Sequence, residues 1–169
     1  MVDAEVQLTS CTVILPSTLP LSAQELSNLT CDYYASLYRD NRYRTGKSVK
    51  LAAEALTSLT LVLEQSTLSE TTLAQAIEDG KAMAEGVLLA KDIVNAPHNV
   101  LNSESMANVA RHLAETSGGR LTCTVLGKEE CEARGMGSYL GVARGSETDP
   151  QFIHVTYTPA SGDVRCVVM

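Results

Sequence analysis

Tryptophan is missing from the 169 residues and phenylalanine occurs once. A core made from this chain is therefore aliphatic, filled by Leu, Val, Ile and Ala, with six tyrosines as its main aromatic area. Positive charge is scarce: 13 Lys and Arg stand against 20 Asp and Glu, for a net −7. That balance argues against general nucleic-acid binding, which needs clustered cations to neutralise phosphates. No apolar run approaches the roughly 20 residues that span a bilayer. The start, Met1-Val2-Asp3-Ala4-Glu5, lacks the basic region of a secretory signal, so Asn28-Leu29-Thr30 reads as a chance match to the glycosylation sequon. Five cysteines (Cys11, Cys31, Cys123, Cys131, Cys166) form an odd set with no C-x-x-C pair. They fit small buried apolar groups in a reducing, intracellular compartment better than a disulfide framework.

Chemical equipment is equally sparse. There is no H-E-x-x-H, no Cys/His spacing suited to zinc, no G-x-S-x-G elbow and no Walker loop. His98, His112 and His154 lie far apart. His112 falls off the apolar stripe of its helix and reads as solvated; His154 alternates within a strand and reads as structural; a metal role is the alternative for each. Gly135, Gly137, Gly141 and Gly145 suggest a phosphate cradle, but Tyr139 to Ala143 reads as a strand, so no helix follows. They are expected to serve a tight turn and a close backbone approach. The most basic stretch, Arg39, Arg42, Arg44, Lys47 and Lys50, reads as a solvated helix end and loop or, alternatively, as a small anion or nucleic-acid patch.

What is present is a fold. At 44% hydrophobic, the chain can bury a core. Glu5 to Leu15 is strand-like and closed by Pro16. Ser22-Ala23-Gln24-Glu25 spells a capping box, with Leu21 and Leu26 spaced as a hydrophobic staple. The stripe Leu26, Leu29, Tyr33, Leu37 then predicts a helix from Ala23 to Arg39. Leu56 to Leu63 has strand composition. Thr71 to Asn95 predicts one long helix whose stripe, Leu73, Ile77, Gly80, Ala84, Val87 and Val94, is widened by Leu88, Leu89 and Ile93 as if finishing inside a core. Such a helix spans about 35 Å, long enough to link two domains, and Pro97 stops it. A third helix runs from Ser103 to Ser117, capped by Asn102, striped by Met106, Val109, Ala110 and Leu113, and ended by Gly118-Gly119. Arg120 to Leu126 alternates as a strand, Glu129 to Ala133 is a helical turn, and Phe152 to Thr158 and Val164 to Met169 complete the strands. Strands interleaved with helices indicate α/β architecture. Stopping within an apolar strand suggests a chain with a piece missing.

Ala90-Lys91-Asp92-Ile93-Val94-Asn95-Ala96-Pro97-His98-Asn99-Val100-Leu101 closely resembles the signature that opens the catalytic domain of leucyl aminopeptidases. The glycine-rich Gly135-Met136-Gly137-Ser138-Tyr139-Leu140-Gly141-Val142, the strand Phe152-Ile153-His154-Val155-Thr156-Tyr157 and, upstream, Tyr38-Arg39-Asp40-Asn41-Arg42-Tyr43 resemble family motifs in the family's order, most like plant and algal members. Lys91 stands where arginine is usual, and Asn102-Ser103 replaces Thr-Pro. The resemblance implies the end of a macro-like N-terminal domain over 1–70, a connecting helix over 71–96, and the opening of the catalytic domain over 97–169. It implies a metallopeptidase that releases N-terminal amino acids from peptides at two divalent metals, Zn or Mn, whose bridging water attacks while a lysine and an arginine stabilise the charge. The family's V-G-K-G-x-T-F-D-[ST]-G-G and N-T-D-A-E-G-R segments, which hold the metals, do not occur here, so no catalytic, metal or cofactor residue is carried over. The expected role is scaffold and assembly surface, inactive alone. Expected partners are the rest of the catalytic domain and copies of itself, as family members form hexamers. The expected compartment is the cytoplasm, with a plastid as alternative. A non-catalytic assembly or regulatory module is the competing reading. DNA contact, known for some bacterial relatives, is remote on so acidic a chain.

Overall fold

The computed structural model describes residues 9–18, 21–46, 58–64 and 66–160. They fall into two compact units, divided between Asn95 and Ala96. Both mix helices and strands, so the α/β class expected of the sequence is what the chain adopts.

The first unit is built on a β-α-β element. Strand β1 (Ser10–Leu15) and strand β2 (Ser58–Leu63) pair in parallel, from Ser10 beside Ser58 to Leu15 beside Leu63. Thr, Val, Ile and Leu dominate both, as suits a pleated, half-buried surface. The parts of the predicted strands at residues 5–8, 56 and 57 lie outside the described residues. Helix α1 (Ala23–Leu37) lies between them in sequence and starts at the expected capping box: the Glu25 amide donates to Ser22 Oγ at 3.3 Å, and the Ser22 amide donates to Glu25 Oε2 at 2.8 Å. The helix ends two residues before the predicted Arg39 because Tyr38 turns to ψ 127°. Arg39 then folds back and donates to the carbonyls of Ser36 and Tyr38.

Helix α2 (Glu70–Asn95) packs along α1. Small residues make the seam. Ala76, Gly80 and Ala84 of α2 face Leu26, Ser27, Thr30 and Cys31 of α1, and these are the buried positions of the two helices. A Cβ on Gly80 would stand 2.5 Å from the Ser27 carbonyl and 2.6 Å from Thr30 Cβ, so only glycine permits this approach. Ser27 and Thr30 satisfy their buried hydroxyls by donating to the carbonyls four residues back, Ala23 and Leu26. The predicted stripes hold in part, with Leu26, Gly80 and Ala84 among the buried positions. On α1, Leu29 and Leu37 line an apolar cavity of about 460 Å³ against Val13, Leu15, Leu59 and Leu61 of the strands rather than the helix seam. On α2, the expected burial towards the C-terminal end is not found: Val87 is 37% and Val94 82% exposed. Close helix contact selects small side chains, and hydrophobicity alone does not report that.

The second unit contains α3 (Ser103–Thr116), β3 (Leu121–Leu126), α4 (Lys128–Ala133), α5 (Gly137–Ala143) and β4 (Phe152–Tyr157). Asn102 caps α3 as expected, accepting from the Ser105 amide at 3.0 Å, while its own amide donates to Ser105 Oγ at 2.8 Å. Gly118 and Gly119, at φ 64° and 83°, end it in a conformation that suits glycine. β3 and β4 pair antiparallel, Leu121 opposite Tyr157 through Leu126 opposite Phe152. The core of this unit is small: Ala107 and Ala110 of α3, Leu126 and Cys131.

One element differs in kind from its expectation. Residues 139–143, read as a strand, belong to α5. Gly135 at φ 68° reverses the chain after α4, and the Leu140 amide then donates to Met136. Tyr139, Leu140 and Ala143 are its half-buried residues, an i, i+1, i+4 set that only a helix places on one side. Over so short a window the apolar residues fitted either period. A helix does follow Gly135-Met136, contrary to the expectation that none follows the glycines. The expected turn is present at Gly135, but the close backbone approach is not, since a Cβ on Gly137, Gly141 or Gly145 would meet nothing within 4 Å. The predicted strand Val164 to Met169 lies outside the described residues.

Candidate functional site

The densest polar cluster lies in the first unit, where the residues after α1 meet the last turn of α2. Arg42 holds Asp40 with two contacts, Nε at 2.9 Å and Nη2 at 3.1 Å. Its Nη2 also reaches Asp92, at 2.9 Å from the carbonyl and 3.1 Å from Oδ1. The same Oδ1 accepts from the Tyr38 hydroxyl at 2.8 Å. Lys91 Nζ donates to the Ala35 carbonyl at 2.6 Å, at the negative end of α1, and sits 5.4 Å from the centre of the Tyr38 ring. Asn95 Nδ2 donates to the Lys91 carbonyl at 2.8 Å. Residues 38–42 and 91–95, both singled out in the sequence, are therefore one clasp between two helices.

The electrostatics are those of a fastening. Arg42 holds the Asp40 carboxyl below its ordinary value by hydrogen bonding to it. Partial desolvation, reinforced by the bond to Asp92, raises the Tyr38 phenol. No nucleophile faces a base, and the guanidinium is already shared between two carboxylates. Arg44 donates to the Asp40 carbonyl at 3.0 Å. The arginines read as a solvated helix end or an anion patch thus bond their own chain, while Lys47 and Lys50 lie outside the described residues.

Other candidates do not converge. His98 and His112 are exposed on separate elements, and His154 is exposed on β4, opposite Thr124, rather than packed as a structural histidine. Cys31 and Cys131 are buried, Cys11 and Cys123 half-buried, and all four are free thiols, as their apolar settings suggested. A hollow of about 450 Å³ in the second unit is lined by Lys128 and Arg144 but equally by Glu132 and Asp149, so it selects neither charge.

Three comparisons bear on this geometry. Residues 88–169, from the last turns of α2 onwards, match the model of the cytosol aminopeptidase family, catalytic domain. A "Probable cytosol aminopeptidase" of Synechocystis sp. is 40% identical over 152 residues, covering 88% of this chain and 28% of that protein. The chain is similar to a part of the cytosol aminopeptidases. A "Probable cytosol aminopeptidase" of Gloeobacter violaceus is 39% identical over 138 residues, covering 77% of this chain and 26% of that protein. Among solved structures, a tomato leucine aminopeptidase mutant superposes with a TM-score of 0.76 at 29% identity, covering 91% of this chain and 30% of that one. The bottromycin maturation enzyme BotP in complex with Mn gives 0.70 at 25% identity, covering 94% and 31%. The chain spans about a quarter of the length of the curated aminopeptidases it matches.

A cytosol aminopeptidase implies metal, and the donor set of this chain can be tested against that. Among the described residues no three of His, Cys, Asp and Glu come together. Asp40 and Asp92, the carboxylates gathered in the clasp, are committed to Arg42 and Tyr38. These residues do not fit a divalent-metal centre. Nor is any helix of the described residues long and apolar enough to cross a membrane.

Proposed function

We propose that this chain supplies framework to a metal-dependent leucyl aminopeptidase that releases N-terminal amino acids from peptides. The metals, zinc or manganese, would be held by residues outside this chain. The observation that carries the reading is a pairing: residues 88–169 match the catalytic domain, yet the described part of that stretch gathers no metal-ligand set. On this reading the first unit is the latter part of a macro-like N-terminal domain, α2 is the connecting helix, and the clasp fixes how that helix leaves α1. The remainder of the catalytic domain is the first partner, copies of the chain in a hexamer the second, and the cytoplasm, after which the relatives are named, the compartment.

An aminoacyl-anilide assay with added manganese or zinc tests this directly. The purified chain is expected to be inactive, and turnover by it alone would overturn the reading. The competing one, a non-catalytic assembly module, is favoured by the apolar surface left open on the second unit. Activity restored by a polypeptide carrying the rest of the catalytic domain decides for the first.

A further inference from the structure

The hollow of about 450 Å³ in the second unit is bordered by four charged side chains, two of each sign. Lys128 and Glu132 stand one turn apart on α4, Arg144 follows α5, and Asp149 lies in the loop before β4. Among the described residues none of the four is in an ion pair, and none of their charged atoms is given to a hydrogen bond. Lysine before glutamate is the weaker helical order at this spacing, so α4 itself does little to draw its two charges together. Two cations and two anions thus border one cavity with their charges uncommitted.

The frame that carries them is fastened. Ser103 Oγ, at the start of α3, donates to the Asp149 carbonyl at 2.6 Å and lies 3.0 Å from Thr148 Oγ1. The Ser146 amide donates to the Ala143 carbonyl at 3.0 Å, which ties the loop to the end of α5. Ser146 and Thr148 add hydroxyls to the lining, while Leu140 and Ala143 give it an apolar wall. The volume falls within the roughly 300–1,000 Å³ of small-molecule sites.

We propose that this hollow binds a small zwitterion, a ligand with both an ammonium and a carboxylate group, such as a free amino acid or a short peptide. A simple anion drawn to Lys128 and Arg144 is repelled by Glu132 and Asp149, and a simple cation meets the reverse. A molecule carrying both charges sets each against its opposite, and the same four groups reject a singly charged competitor. The apolar wall favours an aliphatic side chain on that molecule. Binding of this kind is separate from the aminopeptidase reading: an inactive chain can hold a zwitterion, and an active one need not.

Ligand titrations followed by saturation-transfer NMR on the dilute 169-residue chain test it. L-leucine and dileucine serve as zwitterions, N-acetyl-leucine as the anion and leucinamide as the cation. The better zwitterion is expected to bind about tenfold or more tighter than both singly charged analogues, as for two exposed charge pairs lost at once. Which zwitterion is tighter tells a free amino acid from a peptide, and either result bears the proposal out. Asp149→Asn is expected to weaken leucine by about threefold and to strengthen N-acetyl-leucine; Arg144→Gln is expected to weaken leucine likewise and to strengthen leucinamide. A merely structural role does not give opposite signs for zwitterion and analogue. Both variants should keep the far-UV circular dichroism of the native chain, since neither charged group has a partner to lose. Absence of binding by either zwitterion overturns the proposal, as does equal binding by a singly charged analogue. Binding that both variants leave unchanged puts the ligand elsewhere and also overturns it. So does loss of the native circular dichroism in both, because the charges would then belong to the fold.

Discussion

A methyl group added at Gly80 has nowhere to go. It would meet the Ser27 carbonyl and Thr30 Cβ, both on a neighbouring helix whose own buried hydroxyls are fixed by bonds to the preceding turn. We expect Gly80→Ala to cost roughly 1–3 kcal/mol, the range for overpacking a filled site, although alanine is the better helix former. Chemical denaturation measures it, and a neutral or stabilising result would contradict the close seam. The glycine was visible in the sequence as a member of the stripe. Its reason was not, because the atoms that demand it belong to α1, some fifty residues earlier.

Between elements, the clasp at Tyr38, Arg42 and Asp92 is the contact to measure. Arg42 and Asp92 are each 42% exposed at the side chain, so water screens their pair. A double-mutant cycle of Arg42→Ala and Asp92→Ala should give a coupling of about 0.5–1 kcal/mol that shrinks in high salt. A coupling of zero at low salt would reduce the clasp to a surface coincidence. Acid should loosen the same region: the folded value of Asp40 lies below its ordinary 3.8, so its contribution is full above that pH and is lost as pH falls through the folded value. Comparing acid denaturation of the native chain with Asp40→Asn checks the sign, because the variant should lose part of that pH dependence. Helix α5 makes the opposite case to Gly80. Gly141 is exposed with no neighbour to clash, so Gly141→Ala should stabilise by up to about 1 kcal/mol if the segment is helical. A loss of stability would speak for the strand that the sequence suggested.

For the whole molecule, the exposed apolar groups are the feature to probe. Ile14 at 62%, Val94 at 82% and Val142 at 87% are the most exposed large apolar side chains among the described residues. The purified chain is expected to bind a hydrophobic dye and to associate with increasing concentration, seen by fluorescence and light scattering. A dye-negative, concentration-independent monomer would contradict it. The clasp and the family motifs also meet at this scale. Residues 38–43 and 90–95 were each recognisable in the sequence, and complementary charges on Arg42 and Asp92 were the one signal that they touch.

Interactions reaching three or four residues were decided by the sequence itself. The capping boxes at Ser22 and Asn102, the glycine stop after α3 and the strand composition of β1 to β4 all act within a turn or along one strand. The family was legible for the same reason, since its motifs are runs of adjacent residues. Leu26, Gly80 and Ala84 of the predicted stripes are buried, but tertiary structure alone added Ser27, Thr30, Cys31 and Ala76, because close packing rewards small side chains that no hydrophobic pattern marks. It also decided that residues 137–143 are helical, because seven residues hold too few periods to choose between strand and helix until Tyr139 finds Phe152.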